Sequence, residues 1–102
     1  MARGYWIARL EVNNPDGYKA YVAANGPVFA KYGARFLVRA GQFECREGSA
    51  KSRNVVLEFA DYATALACYN SEEYQALVRM RTPHSEGDLI IVEGYDGLQP
   101  QV

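Results

Sequence analysis

Tyr5-Trp6-Ile7-Ala8-Arg9-Leu10-Glu11-Val12 alternates between two kinds of side chain, and Asn13-Asn14-Pro15-Asp16 follows it at once. The alternation has period two, which marks a strand with two distinct faces. The next four residues form a helix start. Asn14 suits the cap, Pro15 the first helical position and Asp16 the positive end of the helix dipole. A strand that feeds straight into a helix sets the pattern from which the rest of the chain is read.

Working outward, the helix is expected to run to about Tyr32, with Gly33 as its stop. Tyr18, Tyr21, Val22, Asn25, Phe29 and Tyr32 fall on one stripe of it. Gly26-Pro27 is expected to interrupt and bend it, with Pro27 opposite the stripe. Ala34 to Ala40 reads as a second strand, Arg53 to Phe59 as a third and Gly87 to Tyr95 as a fourth. Gly41 to Ser52 reads as a strand extension and a turn around Gly48-Ser49. Asp61 caps a second helix carrying Tyr62, Ala65, Leu66 and Tyr69 on one side. Asn70-Ser71 breaks this helix and caps a fresh piece, with Glu72 and Glu73 in its first turn. Tyr74, Leu77, Val78 and Arg81 share the inner side of that piece, and Thr82-Pro83 ends it. The order β-α-β-β-α-β is the ferredoxin-like pattern: an α+β fold whose antiparallel sheet carries two helices on one face. One domain is expected over residues 1–97, with a short polar tail over 98–102.

Strand parity then assigns the two faces. Trp6, Ala8, Leu10 and Val12, with Phe36, Val38, Ala40, Val55, Leu57, Phe59, Ile90 and Val92, make an apolar set suited to a core under the helices. Tyr5, Ile7, Arg9 and Glu11, with Arg35, Leu37, Arg39, Asn54, Val56, Glu58, Leu89, Ile91 and Glu93, make a mixed set. With the sheet order 4-1-3-2 assumed, Glu93, Arg9, Glu58 and Arg39 alternate in sign across the mixed face. A half-apolar face with no helix over it needs another cover. The expected cover is a second copy of the chain, burying at least about 1,000 Å² in total. Arg9, Arg39, Glu58 and Glu93 are the expected interface residues, and the expected assembly is a homodimeric α/β-barrel.

Composition excludes several classes. The 102 residues are 49% hydrophobic and 13% aromatic, as a folded domain requires. The formal net charge is -1, from 11 basic and 12 acidic residues, so no polyanion-binding surface is implied. RNA-recognition modules share this element order but place aromatics and basic residues on the open sheet face. Here the third strand offers Asn54, Val56 and Glu58 there, and no nucleic-acid partner is expected. No apolar run approaches the ~20 residues of a membrane helix, and Met1 to Gly4 shows no apolar leader. No membrane partner is expected. Cys45 and Cys68 form no CxxC pair and read as reduced thiols of a cytoplasmic protein. One histidine and two separated cysteines make no ordinary zinc site, so no metal is expected, and no glycine-rich fingerprint calls for a nucleotide cofactor.

Three pieces of the chain are characteristic: Tyr32-Gly33-Ala34-Arg35-Phe36-Leu37-Val38-Arg39-Ala40-Gly41, Arg53 with Val55-Val56-Leu57-Glu58-Phe59, and Tyr69-Asn70-Ser71-Glu72-Glu73-Tyr74-Gln75 followed by Arg81. With the opening Tyr5-Trp6-Ile7 strand they resemble the bacterial domain of unknown function 1330 family over nearly the whole chain. The resemblance implies a dimer of two ferredoxin-like protomers with sheets face to face. It implies no catalytic residues, because the family carries no established activity. Ala34 and Ala40 stand where the family often has glycine, and Cys68 where an aromatic is common.

The residues themselves offer a few candidates. Asn25 lies within a tyrosine-rich stripe, where a buried amide needs partners. It either bonds backbone freed by Gly26-Pro27 or lines a cleft with Trp6, Tyr21 and Arg81. Arg81, at a helix end, either satisfies terminal carbonyls or holds a carboxylate bidentately. His84 is a loop or capping residue, or an acid-base group or axial haem ligand at the mouth of the cleft. The leading expectation is a small homodimer that binds a small organic ligand between helices and sheet. The alternatives are a cofactor-independent enzyme of the monooxygenase or isomerase kind and a non-catalytic structural or sensing module.

Overall fold

The computed structural model describes residues 2–101. Strand β1 spans Gly4–Val12 and helix α1 spans Pro15–Lys31; β2 is Arg35–Arg39 and β3 is Arg53–Phe59. Helices α2, Tyr62–Asn70, and α3, Glu72–Arg81, follow; a 3-10 turn over Thr82–His84 then leads into β4, Ser85–Glu93. The strands form one antiparallel sheet in the order β2-β3-β1-β4. This is the ferredoxin-like arrangement read from the sequence, with the second helix split in two.

Local chemistry sets the boundaries. The Asn14 carboxamide accepts from the Gly17 amide and caps α1. Asp61 caps α2 through Thr64, and Ser71 caps α3 through Tyr74. Gly33 follows α1 with φ 68, the left-handed geometry that ends a helix. The expected interruption at Gly26-Pro27 is corrected: α1 continues through Pro27 as one helix. Pro27 removes a donor from the Ala23 carbonyl, but at an exposed position of the helix, where the loss costs least. The segment from Gly41 to Ser52 carries no strand, against the expected strand extension.

The core lies between the sheet and the three helices. Trp6 is 2% exposed at its centre. Its ring meets Phe29, Phe59, Tyr69 and Tyr74 at centroid distances of 5.4, 5.3, 5.8 and 4.8 Å. Its indole N–H donates to the Ala65 carbonyl at 2.9 Å, which satisfies the one polar atom the ring buries.

Register overturns the expected face assignments in two strands, β4 and the end of β2. In β4, Ile91 stands opposite Trp6 and Leu89 opposite Ala8, so Leu89 and Ile91 join the core. Ile90 and Val92 stand opposite Ile7 and Tyr5 on the open face. Glu93 stands opposite Gly4 and so shares the helix side, not the mixed face. In β2 a register shift falls between Phe36 and Val38. Val38 then stands opposite Val56 on the open face, and Arg39 turns to the helix side, with its guanidinium 4.2 Å from the Phe36 ring centroid. A bulge inserts one residue and reverses every later side chain of its strand.

The open face therefore has three rows. In the middle, Val38, Val56, Ile7 and Ile90 stand opposite one another across all four strands. On one side runs Arg35, Glu58, Tyr5 and Val92. Glu58 is the hub of that row: it lies 3.9 Å from both Arg3 and Arg35 and accepts the Tyr5 hydroxyl at 3.2 Å. On the other side run Asn54, Arg9 and Asp88, with Arg9 3.3 Å from Asp88. The alternation of Glu93, Arg9, Glu58 and Arg39 does not form.

Candidate functional site

Between α1, α3 and the sheet the core leaves a narrow cleft of about 30 Å³. That is room for about two waters or one small polar group, since a water needs roughly 10–15 Å³. Trp6, Tyr21, Asn25 and Arg81, the four expected ligand residues, all line it, along with Tyr18, Tyr74 and Arg53. An open basin of about 510 Å³ adjoins it, lined by Val12, Pro15, Val22, Ala23 and Ala40 among others. Tyr18 and Arg53 line both spaces and form the boundary between them.

Each element contributes a side chain for a local reason. Tyr18, Tyr21 and Asn25 lie on α1 at spacings that keep them on one stripe. Tyr74 and Arg81 share the inner side of α3. Arg53 opens β3 at the parity of Val55, Leu57 and Phe59, so its side chain points toward the helices. Sequence reasoning named Trp6, Tyr21, Asn25 and Arg81 and missed Tyr18, Arg53 and Tyr74 as cleft residues. The signal was present: Arg53 holds a core-parity position in an otherwise apolar alternation.

The cleft wall is mostly aromatic and aliphatic, with Asn25, two phenol hydroxyls and two arginines set into it. The Tyr21 and Tyr74 hydroxyls lie 2.6 Å apart. Burial raises the Tyr21 pKa above its usual value, while the Tyr74 hydroxyl and the Arg81 charge pull it part of the way back. Burial raises Tyr74 further, and the neighbouring Tyr21 adds to this; Arg81 opposes it. Both phenols are therefore neutral donors and acceptors near neutral pH. Arg81 is 8% exposed, and its guanidinium lies 5.6 Å from the Tyr21 ring centroid. Arg53 stacks on Tyr18 at 5.3 Å. The Nε atoms of both arginines are buried without a hydrogen-bond partner. Among the described residues neither arginine has a carboxylate within ion-pairing distance.

His84 lies elsewhere. Its Nδ1 is 3.2 Å from the Asn14 carboxamide nitrogen, and its carbonyl accepts from the Asn13 and Asn14 amides. Its ring covers Gly17 so closely that a Cβ there would meet it at 2.4 Å. It does not line the cleft. It ties the β4 entry to the start of α1, the loop-or-capping place that is the first of its two expected roles, and away from the cleft wall. Cys68 is buried in the core, where burial and the Glu73 charge push its thiol up to about 12. Cys45 is exposed, and both thiols are free. Among the described residues no three His, Cys, Asp or Glu side chains converge as a metal site needs. Among the described residues no helix is long and apolar enough to cross a membrane.

Solved structures share this frame. A protein of unknown function from Rhodopseudomonas palustris is 18% identical, with a TM-score of 0.72 over 97% of this chain and 85% of that one. SnoaB, a cofactor-independent oxygenase from Streptomyces nogalater, is 13% identical, with a TM-score of 0.63 over 98% of this chain and all of that one, 100%. A dimeric ferredoxin-like protein of unknown function from Thermobifida fusca is 16% identical, with a TM-score of 0.60 over 90% and 89% of the two chains. At these identities the likeness is one of fold alone. No functionally curated protein matches the chain in sequence. The model of a domain of unknown function, DUF1330, matches residues 3–95, from the start of the sheet to just past its last strand, and the chain belongs to that family.

Proposed function

We propose that this protein is a cytoplasmic homodimer that binds a small organic molecule in the cleft and its adjoining basin. The binding reading rests on one observation: Asn25, Arg81, Tyr21 and Tyr74 place polar groups inside an aromatic core, at the end of a space that opens onto an apolar basin. Buried polar groups without full partners are costly in a core that serves stability alone. A few convergent polar groups in an apolar pocket are the usual make-up of a ligand site. Dimerisation is supported by the aliphatic row, where Ile7, Val38 and Ile90 are 36%, 41% and 55% exposed. The Thermobifida fusca protein of the same fold is described as dimeric.

Binding is favoured over acid-base turnover. The phenols at the cleft end are held neutral, and His84 is not on its wall. Native mass spectrometry of freshly purified protein tests both parts. The expected spectrum shows a dimer carrying a small-molecule adduct, and Ala23→Trp, which fills the basin, removes the adduct but not the dimer. A bare monomer at low micromolar concentration overturns the proposal.

A further inference from the structure

We infer that the ligand is an organic anion, with its carboxylate or equivalent charged head between Arg53 and Arg81 and its apolar body in the basin. The inference rests on the binding reading above and names its chemistry. Arg81 is more than nine-tenths buried and has no anionic partner among the described residues. Arg53 faces the same cleft, and both leave a buried Nε unbonded. Each guanidinium lies over a tyrosine ring, Arg81 also faces the Tyr74 hydroxyl, and the buried Nε of each keeps one donor unbonded.

A buried and a half-buried cation on one cleft, with no carboxylate between them, are unfavourable unless something compensates. The other side chains at the cleft are aromatic, aliphatic or neutral polar: Asn25 and the two phenols supply hydrogen bonds but no negative charge. Size agrees with this division. The inner cleft of about 30 Å³ admits a small charged head and excludes a ring or chain. The basin of about 510 Å³ falls within the ~300–1,000 Å³ of small-molecule sites. Arg53 and Tyr18 sit where head and body would meet.

Calorimetric titration of the intact protein with sodium octanoate and with octanamide tests this. The two probes share an apolar chain and differ in head charge. Octanoate is expected to bind at least about tenfold more tightly, the scale of one charged hydrogen bond. Arg53→Gln and Arg81→Gln should each bring the affinity for octanoate down to that for the amide. Arg81→Lys should restore part of the preference. Arg53 is less buried, so Arg53→Gln keeps the test decisive if Arg81→Gln does not fold. Equal binding of the two probes, or a preference that survives both substitutions, overturns the anion assignment while the cleft reading stands. Binding of neither probe also overturns it. Nile red then separates the two readings. Dye fluorescence lost in Ala23→Trp keeps a cleft for neutral ligands, and no dye response removes the cleft reading as well.

Discussion

The two faces of the sheet are built from the same four strands and follow different rules. On the helix face, Trp6 is surrounded by rings, and even its indole N–H has a partner. On the open face, one residue along, Ile7 stands in an aliphatic row between two polar rows. Around Trp6 the first surface is packed and paired within one chain. The second has an apolar centre between two polar rows, the anatomy that the proposed dimer interface calls for. Burial alone does not separate a core from an interface; completion does.

Substitutions at Trp6 and Ile90 break or sharpen this contrast. Trp6→Ala should cost about 3–5 kcal/mol, because the cavity lies amid rings that cannot collapse. Urea denaturation reads it directly, and a loss below about 1 kcal/mol contradicts a finished core. Ile90→Asp should leave the circular dichroism spectrum intact and weaken the dimer by at least about 100-fold, since it strands a charge under the partner. Light scattering across a dilution series measures this, and an unchanged dimer places the interface on another surface.

Tyr74→Phe comes next in size. It leaves the buried Tyr21 hydroxyl without its 2.6 Å partner and should cost about 1–3 kcal/mol. It also has a pH signature. Tyr21 and Tyr74 have folded pKa values raised above the ordinary 10.0. Above pH 10 the unfolded chain therefore releases protons that the folded chain keeps. Stability is fully present below that pH and falls as pH rises through it. Tyr74→Phe should flatten this alkaline slope in denaturation series run between pH 9 and about 11; an unchanged slope rejects the coupled pair.

The smallest effect is just past the end of β2, at the basin wall. Ala40 holds φ 56, a left-handed geometry that costs a side chain about 1–2 kcal/mol. Glycine removes that strain but adds about 0.4–1 kcal/mol of unfolded-state entropy. Ala40→Gly should thus stabilise the chain by about 0.5 kcal/mol, read as a small rise in Tm. Destabilisation would show that the Ala40 methyl, on the basin wall, contributes packing that outweighs the strain.

Much of the candidate site could be read from the sequence. Asn25 and Tyr21 share a stripe with period 3.6, and Arg81 falls on the inner side of α3, so local periodicity places them in one cleft. Arg53 was legible only by treating a charged residue at a core-parity position as a signal, and not as the frayed start of a strand. The lack of a carboxylate beside either arginine is a fact of three-dimensional arrangement, and no spacing reveals it.

The sequence by itself determined the element order, the helix caps at Asn14, Asp61 and Ser71, and the aromatic stripe of α1, because each depends on residues within a turn or two of one another. Only the tertiary structure decided which side of the sheet β4 and the end of β2 present. Leu89 to Val92 are four aliphatics in a row, so alternation there carries no sign, and pairing with β1 sets the parity. In β2 one inserted residue sends Val38 outward and Arg39 inward, a reversal that depends on the neighbouring strand's hydrogen bonds and not on either side chain.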